Sequence, residues 1–381
     1  MKVERVDLMD ALRGFALIGI LLANMLHFQF GSSGAEIIES ANALNKVSYY
    51  FVKIVIEGSV YPIFGFVFGY VLIKMIESRE NAELKYKNIV FRRAVGLSIL
   101  GALHLTLLWE GDVLLTYGST LFVLLLFFLK RRVKTYFVWG IILTAILGVG
   151  AFFGSNFVQL MKPLTAAEIM IYQEGTYVEI LTQRVGEIIG GGGIGLVFTL
   201  LIIWIAFLIV SFLAVGPFVL FGMGMAKKDA FIQLEKGLQS YKKVALLVPV
   251  GLLLKGSIIF DTPFSLFMYS AGTYVLAIGY IALFAWLFNR YQTQMNHYFA
   301  PIGKLSLTNY LMQTIICTTI FYGYGFGLFG KLGVFVGILL SIIIYGIQLK
   351  ISQLYLKRFS IGPVEMILRS FVYLRKPRKV N

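Results

Sequence analysis

The chain has 381 residues, 58% of them hydrophobic and 14% charged, with a formal net charge of +15. Apolar runs long enough to cross a bilayer recur along it, which excludes an ordinary soluble fold, and they lack the apolar–polar alternation of barrel strands. The single cysteine, Cys317, excludes an internal disulfide and a multi-cysteine metal centre, and no metal is assigned.

The pattern predicts an all-α, polytopic membrane helix bundle. About ten transmembrane helices are expected, near 12–30, 50–73, 93–109, 113–129, 135–156, 194–226, 244–260, 264–288, 305–323 and 333–356. Residues 1–381 read as a single integral membrane domain with no soluble unit. The first run, DALRGFALIGILLANMLHF, lacks a small-residue cleavage site and is expected to be a retained span. Arg13 opens it, and Asn24 and His27 lie near its other end. Arg13 is either an anchor for a phosphate or carboxylate or a snorkelling arginine. With Asn24 and His27 it makes a polar stripe close to one helical face, facing protein or water.

The second run, IEGSVYPIFGFVFGY, carries Glu57. A pairing with Arg13 or a histidine is open, depth arguing against Arg13, and an interfacial carboxylate is the alternative. The third and fourth runs are joined only by Glu110, Gly111 and Asp112, so they predict a tight hairpin. His104 lies deep in the third run, eight residues before Asp112, with Trp109 and Tyr117 nearby. An imidazole at membrane depth is costly and faces a bundle interior or a wet cavity. A nearby carboxylate can hold its tautomer and stabilise its charged form, as a general base requires, and the alternative is a buried histidine hydrogen-bonded to a neighbouring helix.

Residues 157–193 form the longest non-spanning stretch. Thr165 and Glu168 have the spacing of a helix capping box, and Ile169, Tyr172, Tyr177, Ile180 and Leu181 recur at helical spacing. Short amphipathic helices are expected there, on the bilayer surface or as a lid. Gly190 to Gly193 read as a hinge, since a glycine-rich phosphate cradle normally follows a strand. In the sixth run Gly216-Pro217 predicts a kink. The ninth region, PIGKLSLTNYLMQTIICTTIFYGYGFGLFG, carries Ser306, Thr308, Asn309, Gln313 and Thr314, which either line a cavity or bond neighbouring helices. Its aromatic-glycine run at 321–330 predicts a re-entrant or interfacial turn.

The positive charge is not spread as in a nucleic-acid binder, and no nucleic-acid partner is expected. Alternate loops collect it: Lys2, Arg5 and Arg13, the stretch 74–93, KRRVK at 130–134, Lys227 with Lys228, Lys242 with Lys243, and RKPRK at 375–379. The opposite loops carry Glu36, Glu39, Glu110, Asp112, Glu168, Glu174, Glu179 and Glu187. This is the positive-inside bias, so both termini are expected to be cytoplasmic, with the lipid bilayer as the principal partner.

A family resemblance rests on six blocks in order: RVDLMDALRGFALIGILLANM, EGSVYPIFGFVFGY, LGALHLTLLWEGDVLLTYG, YQEGTYVEILTQR, GKLSLTNYLMQTIICTTIFYGYGFGLFG and IGPVEMILRSFVY. Together they resemble the YeiB-type bacterial multi-pass membrane proteins, a family without a settled activity. That family is similar in turn to transmembrane acyltransferases, including lysosomal heparan glucosaminide acetyltransferase and bacterial polysaccharide O-acetyltransferases. The wider similarity implies an acyl thioester bound from the cytoplasm and an acceptor modified outside. It places the group's first-span arginine and following polar residue at Arg13 and Asn24. Many of those enzymes carry histidine where this chain has Asn24, and asparagine is no base at neutral pH.

The leading expectation is therefore an inner-membrane acyltransferase of a bacterial cell. His104, oriented by Asp112, would be the base, with His27 the other candidate and Asn24 a polarising donor. Arg13 would anchor the donor, and Glu57, Tyr117, Asn309 and Gln313 would complete the binding site. No tightly bound cofactor is expected. Acyl-coenzyme A would be a co-substrate, and the acceptor a small molecule, lipid or glycan. Self-association into a homo-oligomer stays open. A transporter or flippase for an amphipathic or acidic molecule is the alternative, and a structural membrane protein without turnover a third.

Overall fold

The computed structural model describes residues 7–31, 41–80, 86–153, 164–189, 196–232, 234–260 and 262–374. Lys2, Arg5, Glu36, Glu39, the Gly190–Gly193 run and the 375–379 tail lie outside the described residues. All regular structure among the described residues is helical. In lipid an α-helix satisfies every backbone group within its own segment, so long apolar runs have little other choice.

The central helix is α1 (Asp7–Phe30), nearly all of whose side chains are buried. A short α2 (Ala43–Phe51) runs through a π-turn at Val52–Ile56 to a break before α3 (Val60–Glu80). Helices α4 (Tyr86–Leu103) and α5 (Leu114–Phe127) make the expected hairpin, and α6 (Val133–Phe153) follows. Two short helices, α7 (Ala166–Glu174) and α8 (Tyr177–Ile189), precede the long α9 (Leu196–Lys227). The rest are α10 (Leu234–Ala245), α11 (Leu247–Gly256), α12 (Pro263–Arg290), α13 (Gln292–Lys304), α14 (Ser306–Phe321), α15 (Val334–Leu356) and α16 (Pro363–Tyr373).

Eight helices or continuous helical stretches among the described residues are long and apolar enough to cross a membrane. The expected fourth and ninth spans are shorter, at 14 residues in α5 and 16 in α14. At 1.5 Å per residue they reach roughly 21 and 24 Å, less than the hydrocarbon thickness of a bilayer. Helix α9 continues through Pro217 as one helix.

Glycine lets the central helices touch. A Cβ on Gly14 of α1 would lie 2.0 Å from the Phe299 carbonyl oxygen, and one on Gly303 of α13 would lie 1.8 Å from that of Asp10. Helices α3 and α9 cross in the same way. A Cβ on Gly69 would lie 2.0 Å from the Val219 oxygen, and one on Gly222 would lie 2.0 Å from the Phe66 oxygen. Lipid offers helices no hydrophobic drive to associate, so small residues that allow such close packing carry the association. Exposed apolar side chains such as Ile342, Ile343, Ile347 and Ile351 of α15 face away from this core.

The 321–330 run forms a turn that folds back on the end of α14. Phe326 and Phe329 donate their amides to the Thr319 and Phe321 oxygens at 2.8 Å each. Gly327 and Gly330 hold φ of +62° and +71°, a region that favours glycine.

Candidate functional site

Helix α4 ends in a π-turn, His104–Leu108, closed by the Trp109 amide donating to the His104 oxygen at 2.9 Å. Such turns recur at functional sites because they re-aim a side chain. The hairpin then brings Asp112 back beneath His104. One carboxylate oxygen of Asp112 accepts the Leu115 amide at 2.6 Å, in the first turn of α5. The other lies 2.9 Å from His104 Nδ1, and both side chains are almost wholly buried. The Nδ1 and Oδ1 atoms are not aligned as a hydrogen bond, so the contact is a close polar or ionic one. His104 Nε2 lies 2.9 Å from Thr314 Oγ1 on α14. The ring of Tyr310 stands 5.1 Å from the imidazole, and its hydroxyl donates to the Gly111 oxygen at 3.0 Å. The expected pair is thus assembled, and α14 supplies two partners from about 200 residues away.

A cavity of about 690 Å³ lies between α1, α3, α4, α5, α14 and α16. Arg13, Lys74, Arg79, Arg93, Lys304 and Arg369 line it, with Asp10 and Glu365 as its acids. Leu17, Ile20, Phe64 and Phe68 give it apolar walls, and Val113, Tyr117 and Tyr310 also line it. His104 and Asp112 are absent from the wall, and Tyr310 touches both the cavity and His104.

The cations of this cavity differ in what they face. Lys74 bridges Glu77 at 2.9 Å and Asp229 at 2.5 Å. Arg79 lies over the Tyr373 ring, 4.9 Å from its centroid. Glu365 is spent on the start of α14, accepting the Leu307 and Thr308 amides at 2.8 and 3.1 Å. Arg13 sits 3.7 Å from Asp10 and donates to the Gly303 oxygen at 3.4 Å, so the expected anchor is partly neutralised. Among the described residues Arg93 meets no carboxylate, and its buried Nε has no hydrogen-bond partner; it contacts Met75 Sδ at 3.8 Å and the Phe68 ring at 5.3 Å. Sequence reasoning missed Arg93 because FRRAVG at the start of a span reads as topology.

The other expected site residues disperse. Asn24 accepts a hydrogen bond from the Tyr61 hydroxyl. The Tyr117 hydroxyl reaches the Tyr61 carbonyl at 3.5 Å, so only Tyr117 of that group lines the cavity. His27 is exposed and lies beside Glu57 and Lys53, and the expected stripe with Arg13 and Asn24 does not converge on one centre. Glu57 pairs with neither Arg13 nor a histidine side chain but with Lys53 at 2.8 Å, one helical turn away. Asn309 and Gln313 do not line the cavity. Asn309 donates to Ser352 Oγ at 3.1 Å, Gln313 donates to Gln348 at 3.0 Å, and both amides tie α14 to α15.

Lys255 was also missed. It is wholly buried on α11, donates to the Glu57 carbonyl and to Ser59 Oγ at 3.2 Å, and lies 4.9 Å from the Tyr269 ring centroid. It thereby satisfies the break between α2 and α3, where Gly58 holds φ +76°. A lone lysine in the apolar run VPVGLLLKG was the available signal.

The 164–189 segment lies over the hairpin as a cap. Gln173 donates to the Phe329 oxygen at 2.9 Å, and Tyr172 stacks on Phe329 at 5.1 Å. The Tyr177 hydroxyl donates to the Leu107 oxygen at 2.8 Å. The expected capping box at Thr165 and Glu168 is present. A similar pair, Thr176 with Glu179, opens α8. Bonds from the threonine amide and hydroxyl hold both glutamates below the ordinary carboxylate range.

Comparisons with known proteins find relatives over nearly the whole chain and name no reaction. A family model described as "Protein of unknown function (DUF418)" matches residues 225–375. Over 394 residues the chain is 28% identical to the uncharacterized protein YxaH of Bacillus subtilis (strain 168), covering 97% of this chain and 95% of that protein. An uncharacterized 39.9 kDa protein of Bacillus acidopullulyticus is 28% identical over 98% of this chain and 95% of its own length. The uncharacterized protein YeiB of Escherichia coli (strain K12) is 25% identical over 96% of each chain. The resemblance to the YeiB-type proteins therefore holds. It spans nearly the whole chain, and the helices suited to lipid agree with a bacterial membrane protein.

Proposed function

We propose that the chain is an inner-membrane acyltransferase that takes an anionic thioester donor, of the acyl-coenzyme A type, from its basic face. The supporting observation is the cavity that joins Arg93, whose buried Nε has no hydrogen-bond partner among the described residues, to apolar walls and is separated from His104 and Asp112 by Tyr310. An amphipathic anion needs that combination of cations for phosphates and an apolar wall for its chain. In the reaction, an acceptor hydroxyl or amine attacks the thioester carbonyl while His104 Nε2 takes its proton. The carbon–sulfur bond breaks, and the proton passes to the departing thiolate. Asp112 holds the other ring nitrogen and stabilises the imidazolium. The acceptor, an envelope glycan, lipid or exported small molecule, would approach from the acidic face, with Thr314 and Tyr310 yielding to it.

A transporter or flippase for the same class of amphipathic anion is the second reading, favoured by Lys255 buried within a span. Mass spectrometry of envelope lipids and glycans from a deletion strain separates the two. A missing acyl mass, restored by the wild-type chain but not by His104→Gln, is expected. Unchanged acylation with altered uptake or export of a solute would overturn the enzyme in favour of the transporter.

A further inference from the structure

We infer that Arg184 and Tyr177, on the outer cap, are positioning residues for His104. This rests on the proposed role of His104, but its test needs no turnover. Arg184 lies in α8 and is only 3% exposed. Its Nη1 donates to the Thr106 oxygen at 3.2 Å, and its Nε lies 3.6 Å from Glu110. Tyr177, at the start of the same helix, donates its hydroxyl to the Leu107 oxygen at 2.8 Å.

Both accepting carbonyls belong to the π-turn that carries His104. The last carbonyls of a helix have no partner within it and must find one elsewhere. A cation there is also favoured by the helix dipole. The donors on α8 therefore stabilise this helix end in its π form. Without them the turn is free to tighten towards α geometry, which holds about one residue fewer per turn. That change rotates the chain following His104 and draws Asp112 off Nδ1. Arg184 thus bonds the turn two residues beyond His104 while lining no part of the cavity. The cap and the buried pair are mechanically joined.

The chain has three histidines and one cysteine, which makes the test direct. The full-length protein in nanodiscs is treated with diethyl pyrocarbonate, and labelling of His104 and His297 is followed by peptide mass spectrometry. Heat-induced exposure of buried Cys317 to a thiol-reactive dye reports the global fold. Arg184→Met is expected to raise the labelling rate of His104 at least tenfold, leaving His297 and the Cys317 transition unchanged. Tyr177→Phe is expected to do so to a smaller extent, and Arg184→Lys to restore slow labelling. Unchanged His104 labelling in the double variant would overturn the inference. So would faster labelling that merely follows a lowered Cys317 transition. Should acyl transfer prove absent while the labelling result holds, the positioning role stands and only the reaction falls.

Discussion

Arg93→Met separates binding from stability. In the folded protein Arg93 gains a cation–π contact with Phe68, worth about 0.5–1 kcal/mol. Against it stands a buried Nε with no partner, and an unmade buried hydrogen bond costs about 1–3 kcal/mol. Methionine keeps most of the side-chain volume and removes the charge. The variant is therefore expected to be as stable as the wild type or about 1–2 kcal/mol more stable. Donor binding should move the other way. Losing one charge-assisted contact to a phosphate costs about 1.5–3 kcal/mol, roughly a 10- to 150-fold rise in Kd. Equilibrium binding of radiolabelled acyl-coenzyme A to the protein in nanodiscs reads the change in Kd. The Cys317 dye transition reads the change in stability. A variant that melts earlier and binds the donor as tightly as the wild type would show that Arg93 serves the fold, and the donor site would have to be sought elsewhere.

His104→Gln is expected to lower acyl transfer by about two to four orders of magnitude, the usual worth of a general base. Asp112→Asn should impair it less, and His27→Ala should leave it near wild type, because His27 is exposed and does not contact the pair. Initial rates with the purified variants decide this, and an inactive His27→Ala beside a fully active His104→Gln would show the base to be misassigned. For topology, Glu174→Cys in a Cys317→Ser background should react with a membrane-impermeant maleimide added outside the cell, since Glu174 is exposed on the cap. Labelling only after the cytoplasmic face is opened would invert the orientation taken from loop charge.

The hairpin and its pair were legible because they are local. His104 and Asp112 are separated only by the end of one helix and a short turn, and costly groups so placed have few ways to avoid each other. The Glu57–Lys53 pair was legible in principle from its i,i+4 spacing. Longer-range partners were not. Thr314 and Tyr310 looked like ordinary polar and aromatic residues of a packed helix until the fold set them against His104. Arg93 was hidden by a rule that explains every arginine at the basic end of a span, and among the cavity's cations it is its buried Nε, without a hydrogen-bond partner among the described residues, that sets it apart. Asn309 and Gln313 show the reverse error. A polar stripe can line water or bond a neighbouring helix, and their amides complement Ser352 and Gln348, which are far away in sequence.

The reciprocal glycine contacts between α3 and α9 also bear on how the cavity can vary. At that crossing main chain meets main chain, so the side of the cavity that carries Phe64 and Phe68 has its place set by backbone. A wall of that kind has no slack to take up a larger ligand and no room to drift as residues are exchanged. Another part of the wall is lined by side chains of α16, among them Leu368, Arg369 and Val372, and α16 rests on α4 through the Leu368 and Phe371 side chains against Gly96. Adaptation to a longer, shorter or differently charged guest would therefore be written on one side only, with α3 as the fixed jaw and α16 as the adjustable one.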